Sequence, residues 1–389
     1  MNLNRLAALV AAVVLLPVAA TWLVGSPGPA HSADAPAASG EWGLQCSAED
    51  APGTVQLSLS IVRPNHQHSW SSHGVALSDL VGLTGDDLTR DAVDVMFRLA
   101  RDAGAIVMQG SLAHGKGKGT FNLFLSSAFA DELQRRGVGR PSRDQQVLLA
   151  LDDGKLDLLD EWKNLGYAIP NVDMFLRCVQ HGVSRDYVHD MVALGYKLAS
   201  IDEWVKARDH GLDAAYVRDM GMAGYSKLTF AQLMRARDHG ADPAYVAAMR
   251  AAGFADPSLE DFIASRDHGV DADFIHDLQA LGFRNLSIVK LMELRDHGVD
   301  AHYLGALQRM GFGIVTLSGA IEARNHGVDA AYIASLQDAG YAGLTLPEAI
   351  RARDHGVDAG FAADARRRLG RTPSLDELIR MRDRGDAGN

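Results

Sequence analysis

From about residue 126 onward, apolar side chains recur with the spacing of a helix that buries one face. Ile201, Trp204 and Val205 follow the i, i+3, i+4 pattern, and the same pattern returns in later stretches of the chain. Each stretch is short and is bounded by glycine on one side and by serine, threonine or aspartate on the other. The pattern therefore predicts a mainly α protein made of short, paired helices.

The predicted helix pairs repeat with a strict period. The sequence Arg-Asp-His-Gly, or a close variant, marks each repeat, and successive histidines are 29 residues apart. These histidines are His181, His210, His239, His268, His297, His326 and His355. A constant period of this length is typical of stacked two-helix units. We therefore expect an α-solenoid of about nine 29-residue αα-hairpin repeats over residues 126–384, with residues 385–389 as a tail.

Helix start signals occupy two fixed positions in each repeat. The third residue after the histidine is an expected N-cap of the first helix, and the nineteenth is an expected N-cap of the second. The first set is Ser184, Asp213, Asp242, Asp271, Asp300, Asp329 and Asp358. The second set is Ser142, Asn171, Ser200, Thr229, Ser258, Ser287, Thr316, Thr345 and Ser374. Full capping boxes are expected for Ser200 with Glu203, Thr229 with Gln232, Thr345 with Glu348 and Ser374 with Glu377.

Ahead of the repeats, the periodicity changes from helical to alternating. Residues 54–62 and 93–99 alternate apolar and polar side chains, and residues 105–109 and 120–125 flank a glycine-rich link. This pattern predicts a linker and a small antiparallel β module within residues 36–125. The link at Gly115–Gly119 lacks the spacing and the following helix of a phosphate-binding loop, so we interpret it as a flexible hairpin tip.

Residues 1–35 have the composition of an export signal. Arg5 precedes an apolar run at residues 6–24, and a tract of small residues and prolines follows. The run is also long enough to span a bilayer, so an uncleaved N-terminal anchor is the alternative to a cleaved signal peptide. A cleaved signal peptide predicts a periplasmic or secreted protein, and an uncleaved anchor predicts a protein held at the inner membrane.

Net charge limits the class of partner, and cysteine content limits the possible disulfide chemistry. The net charge of -11 argues against nucleic acid or an anionic membrane surface as the main partner. The two cysteines, Cys46 and Cys178, could form a disulfide in an exported protein. Because Cys178 falls within a predicted repeat helix, the favoured interpretation is a small buried apolar residue.

The repeated Arg, Asp and His could suggest a ladder of catalytic or metal sites, but their spacing favours a structural role. Equivalent histidines in stacked units are about 10 Å apart, whereas the ligands of one metal converge to about 2 Å from it. The aspartate lies in the last turn of a helix, where it opposes the dipole, so we expect an arginine to pair with it. The predicted ladder is Arg208, Asp209, His210, Arg237, Asp238, His239, Arg266, Asp267, His268, Arg295, Asp296, His297, Arg353, Asp354 and His355. A pH-sensitive ladder is the alternative, since histidine titrates near neutrality.

Three histidines of the predicted β module, His66, His68 and His73, are weak candidates for a metal site. Imidazoles can ligate zinc or copper, but no acidic residue or cysteine accompanies these three. We therefore predict no metal and no cofactor. A metal-binding sensor or enzyme centred on these histidines is kept as the alternative function.

The exposed face of the predicted first helices varies from repeat to repeat, as expected of a surface that binds an extended partner. The candidate partner-binding residues are His189, Asp190, Arg218, Asp219, His276, Asp277, Gln308 and Arg309. Ordinary variation of solvated positions is an equal alternative. The chain contains no HExxH, GxSxG or Walker sequence, so we expect a non-enzymatic scaffold or sensing module that binds a protein partner.

The repeat, with its glycine–aromatic turn, its Ser/Thr cap and its closing Arg-Asp-His-Gly-Val, resembles a family of bacterial extracytoplasmic helical-repeat proteins. Similar arrays occur as C-terminal extensions of penicillin-sensing antirepressor metalloproteases. The resemblance covers Val93 to Arg384. It implies an extracytoplasmic interaction or sensing module. The chain departs from the protease members in having neither HExxH nor a multi-span membrane domain, so the resemblance does not extend to peptidase activity.

Overall fold

A computed structural model describes residues 35–46, 52–62, 68–254, 257–312 and 315–385. They form two compact units. One contains the described residues up to Ala100 together with Gly104–Ser126, and the other contains Arg101–Ala103 together with the residues from Ser127 onward. The predicted export signal or anchor, with its apolar run at residues 6–24, lies outside the described residues.

The first unit is a seven-stranded sheet with the strand order β3-β2-β1-β7-β6-β5-β4. The elements are β1 (Ala38–Gln45), β2 (Thr54–Val62), β3 (His68–Ala76), β4 (Leu80–Val81), helix α1 (Gly85–Thr89), β5 (Val93–Arg101), β6 (Gly104–Ala113) and β7 (Lys116–Leu125). Strand β1 pairs antiparallel with β2 and β7, β2 with β3, β6 with β7, and β4 with β5. The predicted antiparallel β module is therefore present.

The apolar face of this sheet is curved. Trp42 on β1 and Phe97 on β5 are almost fully buried, and their rings meet edge to face with centroids 5.0 Å apart. Two strands separate β1 from β5 in the sheet order, which would place them about 14 Å apart in a flat sheet. Contact between the two rings therefore requires the sheet to curl around its apolar face.

The interpretation of Gly115–Gly119 as a flexible hairpin tip is wrong. The turn falls at His114 and Gly115, which both have positive φ, and strand β7 begins directly afterwards at Lys116. A Cβ at Gly119 would lie 2.1 Å from the carbonyl oxygen of Gln109 and 2.7 Å from Nε1 of Trp42. Glycine is needed here because an aromatic ring and the neighbouring strand approach the backbone closely.

Three strands, β1, β3 and β4, lie outside the alternating stretches that the sequence pattern predicted. In β1, Gly40 and Gly43 interrupt the alternation, although Trp42 and Leu44 point into the core. A Cβ at Gly40 would lie 2.0 Å from the carbonyl oxygen of Ser60 on β2, so close packing of the two strands explains this glycine. Strand β3 contains His68 and His73, two of the candidate metal ligands.

The second unit is helical throughout. Its helices are α2 (Ser127–Arg135), α3 (Arg143–Leu151), α4 (Asp157–Asn164), α5 (Val172–Gln180), α6 (Arg185–Ala193), α7 (Ile201–Asp209), α8 (Ala214–Met222), α9 (Phe230–Asp238), α10 (Pro243–Ala251), α11 (Leu259–Asp267), α12 (Ala272–Ala280), α13 (Ile288–Asp296), α14 (Ala301–Leu307), α15 (Leu317–Asn325), α16 (Ala330–Asp338), α17 (Leu346–Asp354), α18 (Ala359–Leu369) and α19 (Leu375–Asp383). A π-helical turn at Gln308–Phe312 extends α14. Within the described residues, no single helix combines the length and apolar character needed to cross a bilayer. The segments Ala301–Phe312 and Leu317–Asn325 reach both only as a pair bent by 97°.

The predicted N-caps are confirmed at both positions of the repeat. In the first set each side-chain oxygen accepts a hydrogen bond from the backbone N–H three residues later, as Asp300 does from Tyr303 at 2.7 Å. The same geometry recurs across the first set and the second. Each cap satisfies a backbone donor that the helix itself leaves without an acceptor.

The expected capping boxes are only partly correct. They form at Thr229 and Thr345, but not at Ser200 or Ser374. The Glu203 carboxylate accepts the N–H of Ala199 at 2.8 Å, one residue before the cap. The Glu377 carboxylate instead accepts two hydrogen bonds from Arg371, at 2.7 and 2.9 Å. For Glu377, the charged bidentate contact with Arg371 outweighs a single hydrogen bond from a backbone N–H.

Many helices contact the helix two places along the chain. Consecutive even-numbered helices do so from α4 to α18, for example α10 with α12, and so do several odd-numbered pairs, such as α11 with α13. Apolar residues from the first helices form a buried row, including Val188, Val246 and Leu304, each 0 % exposed. Full burial of such a side chain contributes about 1.5–3 kcal/mol, so these rows outweigh any single polar contact between helices.

Candidate functional site

The repeated histidines contact aspartates of the following repeat. Nδ1 of His239 lies 2.7 Å from Oδ1 of Asp267, although 28 residues separate them in sequence. The same contact joins His181 to Asp209, His210 to Asp238, His268 to Asp296, His326 to Asp354 and His355 to Asp383. His297 contacts Asn325 in the same way, at 2.6 Å. These contacts form a side-chain ladder that runs from one repeat to the next.

The repeated arginines of the second helices lie over aromatic rings of the first helix in the same helix pair. The guanidinium carbon of Arg266 is 5.0 Å from the ring centroid of Tyr245, within the range of a cation–π contact. The other pairs are Arg208 with Tyr187, Arg237 with Tyr216, Arg295 with Phe274, Arg324 with Tyr303, Arg353 with Tyr332 and Arg382 with Phe361, at 4.0 to 4.9 Å. Phenylalanine serves as well as tyrosine because the contact uses the ring face.

The glycine of the motif lies close to an arginine of the same set. Gly211 has a φ of 68°, so it can end helix α7 in a left-handed conformation. A Cβ there would also lie 3.3 Å from Nε of Arg237, which reaches back from the next repeat. Asp and Arg of each motif therefore contact His and Gly of the preceding motif, and the same Arg also lies over an aromatic ring of its own helix pair. The motif thus combines contacts between repeats with a contact inside the repeat.

The expected pairing of arginine with aspartate is wrong. Asp238 lies against His210, while Arg237, the residue before it, lies over the ring of Tyr216. His210 is the C-cap of α7, a position that favours positive charge, so its ring sits where a neighbouring carboxylate finds a donor. The arginine side chain is longer than that of aspartate, so its guanidinium group reaches past the histidine to the aromatic ring. Side chains of these histidines and aspartates are about 38 to 49 % exposed, so each pair contributes only about 0.2–1 kcal/mol.

Tyrosine hydroxyls form further contacts between repeats that sequence reasoning missed. The hydroxyls of Tyr245, Tyr303 and Tyr332 donate to the carbonyl oxygens of Val270, Val328 and Val357 at 2.7 to 2.8 Å. A second set, Tyr196, Tyr225 and Tyr341, donates to the carbonyl oxygens of Leu228, Pro257 and Pro373 at 2.7 to 3.0 Å. The recurrence of tyrosine at these two positions was the signal for such contacts. Its acceptors could not be read from the sequence.

Most of the candidate partner-binding residues lie at the surface of the first helices. His189 and Asp190 are exposed on α6, and the same holds for Arg218 and Asp219 on α8, His276 and Asp277 on α12, and Arg309 after α14. Nδ1 of His189 lies 4.0 Å from Oε1 of Glu161, a mostly buried carboxylate on α4. Helices α6 and α8 contact each other, whereas α12 contacts α10 and α14. The candidates therefore share one kind of helix but do not converge on one point.

Gln308 differs from the other candidates. It is half-buried, and it occupies the repeat position of Gln279 and Gln337. The amides of those two residues donate to the carbonyl oxygens of Ala252 and Met310, in the preceding repeats, at 3.3 and 3.1 Å. Residues at this repeat position therefore make hydrogen bonds between repeats, so Gln308 does not occupy a simple surface position.

No protein-family model matches this chain, and no curated protein matches it significantly. The conspicuous motif residues contact other helices of the same unit, and the residues that vary at the surface lie on the first helices.

Two of the three candidate metal ligands lie far apart along one strand. His66 lies outside the described residues, and His68 and His73 lie five residues apart on β3, where they are aligned with Val62 and Leu57 of β2. Five residues of extended chain span about 16 Å. Over the residues that the structure describes, no three histidine, cysteine, aspartate or glutamate side chains are grouped as metal ligands would be.

The sheet carries an open cavity of about 820 Å³ on its polar face. Exposed side chains from β1, β5 and β7 line it, among them Glu41, Asp94 and Lys118, and the backbone of Gly110 and Gly119 forms part of it. Its charged groups have both signs and converge on no single point. The cavity therefore indicates no particular ligand chemistry.

Cys178 is a fully buried free thiol on α5, so no disulfide joins it to Cys46. Burial raises the pKa of Cys178 to about 12, with a smaller opposing effect from Arg177. A thiol with this pKa stays protonated at neutral pH and is a poor nucleophile and metal ligand. Cys178 therefore behaves as the small apolar residue that the sequence favoured.

Proposed function

We propose that the helical unit is an α-solenoid of nine stacked helix pairs, and that it binds a protein partner outside the cytoplasm without catalysing a reaction. The contact pattern supports this arrangement, since consecutive first helices from α4 to α18 contact each other, and several second helices do the same. Stacked units with contacts only to their neighbours expose a long surface that suits an extended partner.

One observation carries the proposal. The side chains most suggestive of chemistry are Arg, Asp and His of the motif, and all three make structural contacts. Histidine Nδ1 lies against the aspartate of the next motif, and arginine lies over an aromatic ring of its own helix pair. These groups are thus engaged in holding helices together, within and between repeats. The surface that distinguishes one repeat from another lies on the first helices, with His189, Arg218 and His276 as exposed examples.

The extracytoplasmic location and the sensing role belong to the same proposal. They are supported by the export-signal composition of residues 1–35 and by the resemblance of the repeats to extracytoplasmic arrays. The net charge of -11 favours a partner with basic residues, since opposite charges accelerate association and like charges oppose it.

A test uses the full chain with two matched sets of surface substitutions. The first set is Arg218→Ala, Asp219→Ala, His276→Ala and Asp277→Ala on the first helices. The control set is Lys206→Ala and Glu322→Ala, which are exposed on the second helices α7 and α15. After affinity capture from envelope extracts, quantitative mass spectrometry should find a stoichiometric protein with the unmodified chain and the control set. Its recovery should fall at least about tenfold with the first set, as expected when a binding surface loses its central contacts.

Two results would refute this proposal. One is equal recovery of the captured protein with both variant sets, which would place the binding surface away from the first helices. The other is the absence of any stoichiometric protein in captures by the unmodified chain. Circular dichroism of each variant should match the unmodified chain, since all the substituted positions are exposed.

A further inference from the structure

Strand β3 lies at one edge of the sheet and is paired on one side only. All nine of its residues are aligned with β2, from His68 opposite Val62 to Ala76 opposite Thr54. Among the strands that the structure describes, none pairs with its other side. Backbone N–H and C=O groups along that side can therefore pair with another strand.

The sequence of β3, HSWSSHGVA, has none of the features that usually protect an edge strand. It contains no lysine, arginine, aspartate, glutamate or proline. The opposite edge is different, because the two-residue strand β4 pairs only with Arg98 and Leu99 of β5, and the rest of β5 carries Asp94. The sheet thus has one nine-residue edge strand without these residues, and one edge that combines a very short strand with an acidic residue.

A second copy of the chain fits this edge better than an unrelated strand does. Each chain carries a net charge of -11, so most of its surface repels another copy. Strand β3, which has no aspartate, glutamate, lysine or arginine, is one place where two copies can approach without like charges meeting. Because the opposite edge combines the two-residue β4 with Asp94 of β5, β3 pairs best with β3, and the contact closes as a symmetric dimer.

We propose that two copies of this protein associate through antiparallel pairing of their β3 strands, which joins two seven-stranded sheets into one continuous sheet. Antiparallel pairing gives on the order of one hydrogen bond per residue along the paired strands. The dimer presents two helical units to one partner, which raises the avidity for a multivalent target. The proposal does not depend on what the helical unit binds.

The first test is the mass of the full chain in solution. Sedimentation velocity over a concentration series should show a reversible monomer–dimer equilibrium and no larger species, because the contact is symmetric. A chain that remains monomeric up to about 100 μM would overturn the proposal, since that limit leaves a Kd too weak for a specific interface. Growth into larger oligomers would overturn the symmetric β3 contact in the same way.

Substitutions in β3 locate the interface. Neighbouring residues of a strand direct their N–H groups to opposite edges, so Ser71→Pro and Ser72→Pro each remove a donor from a different side. The variant that removes the outward donor should keep the circular dichroism spectrum of the unmodified chain and weaken dimerisation at least tenfold. The other should disturb the pairing of β2 with β3.

A charge substitution covers the case in which both proline variants fail to fold. Ser72→Lys places two positive charges close together near the middle of the paired strands and should weaken dimerisation at least tenfold, with partial recovery at high salt. Thr120→Lys is the matched control, because Thr120 is exposed on β7, an interior strand of the sheet. Equal dimerisation of the Ser72→Lys variant and the unmodified chain would overturn the proposal.

Discussion

Tyr303 and Tyr216 occupy the same position in two repeats, but their hydroxyl groups differ in hydrogen bonding. Tyr303 donates to the carbonyl oxygen of Val328 at 2.7 Å, whereas the buried hydroxyl of Tyr216 has no hydrogen-bond partner among the residues that the structure describes. Burial raises the pKa of both residues to about 12, so both remain neutral donors at physiological pH. Two identical residues therefore have opposite effects on stability, because a buried donor without an acceptor costs free energy.

We predict that Tyr303→Phe lowers the free energy of unfolding by about 0.5–1.5 kcal/mol, because it leaves the Val328 carbonyl without its donor. Tyr216→Phe should leave stability unchanged or raise it, since it removes a buried polar group that has no partner. Urea denaturation of the full chain measures both. Equal losses at the two positions would contradict the assignment of the hydroxyl contacts. Phe274 and Phe361 occupy the same repeat position, which indicates that the fold accepts phenylalanine there.

At the scale of the element, strand β7 and helix α1 illustrate two different uses of glycine. Gly119 in β7 faces Trp42, whose Nε1 donates to the carbonyl oxygen of Gln109 at 3.0 Å. Gly85 begins α1, and a Cβ there would meet no atom within 4 Å. The first glycine is required by packing between elements, and the second is not.

Gly119→Ala should destabilise the sheet by about 2–4 kcal/mol, because the new methyl group overlaps the Gln109 carbonyl and displaces the ring of Trp42. The matched control, Gly85→Ala, should not destabilise it, since alanine fits the space and favours helix. Near-UV circular dichroism during urea denaturation reports the packing of the aromatic rings. A Gly119→Ala variant as stable as the control would mean that the ring does not lie over the glycine.

At the scale of the whole chain, the ladder has defined ends. Its first histidine, His181, follows Gln180 rather than an aspartate, and Arg384 replaces histidine after the last aspartate, Asp383. Each ladder contact joins one repeat to the next, so the removal of a whole repeat preserves the contact type at the new junction. The period of 29 residues, rather than any single residue, sets the geometry of that junction.

Deletion of residues 269–297 removes one whole repeat and brings His268 into the sequence position of His297, opposite Asn325. We expect this variant to fold with cooperative thermal unfolding and a helical circular dichroism spectrum, with a somewhat lower stability because one interface is lost. Deletion of residues 283–297 is the control. It removes α13 alone and breaks the alternation of helices, so it should lose cooperative unfolding. Similar behaviour of the two deletions would contradict the role of the repeat as the structural unit.

Features that depend on neighbouring residues were predictable. The N-caps at Asp300 and Thr345 each close a hydrogen bond within three residues, so the sequence contains both partners. The period, the glycine turns and the alternating strands β2 and β5 are local in the same sense. For the candidate site, the surface location of residues such as His189 and Arg218 followed from helical spacing alone.

The sequence alone determined which residues begin and end each helix, because those interactions lie within one turn of the chain. It also determined that the units repeat at a fixed interval. Only the tertiary structure decided that Asp238 contacts His210 while Arg237 lies over Tyr216, because partners on other helices, up to 28 residues away, depend on how the helices pack. The same holds for Gly119, whose role is set by the approach of another strand and a ring. Contacts across elements depend on distances that a linear pattern does not contain.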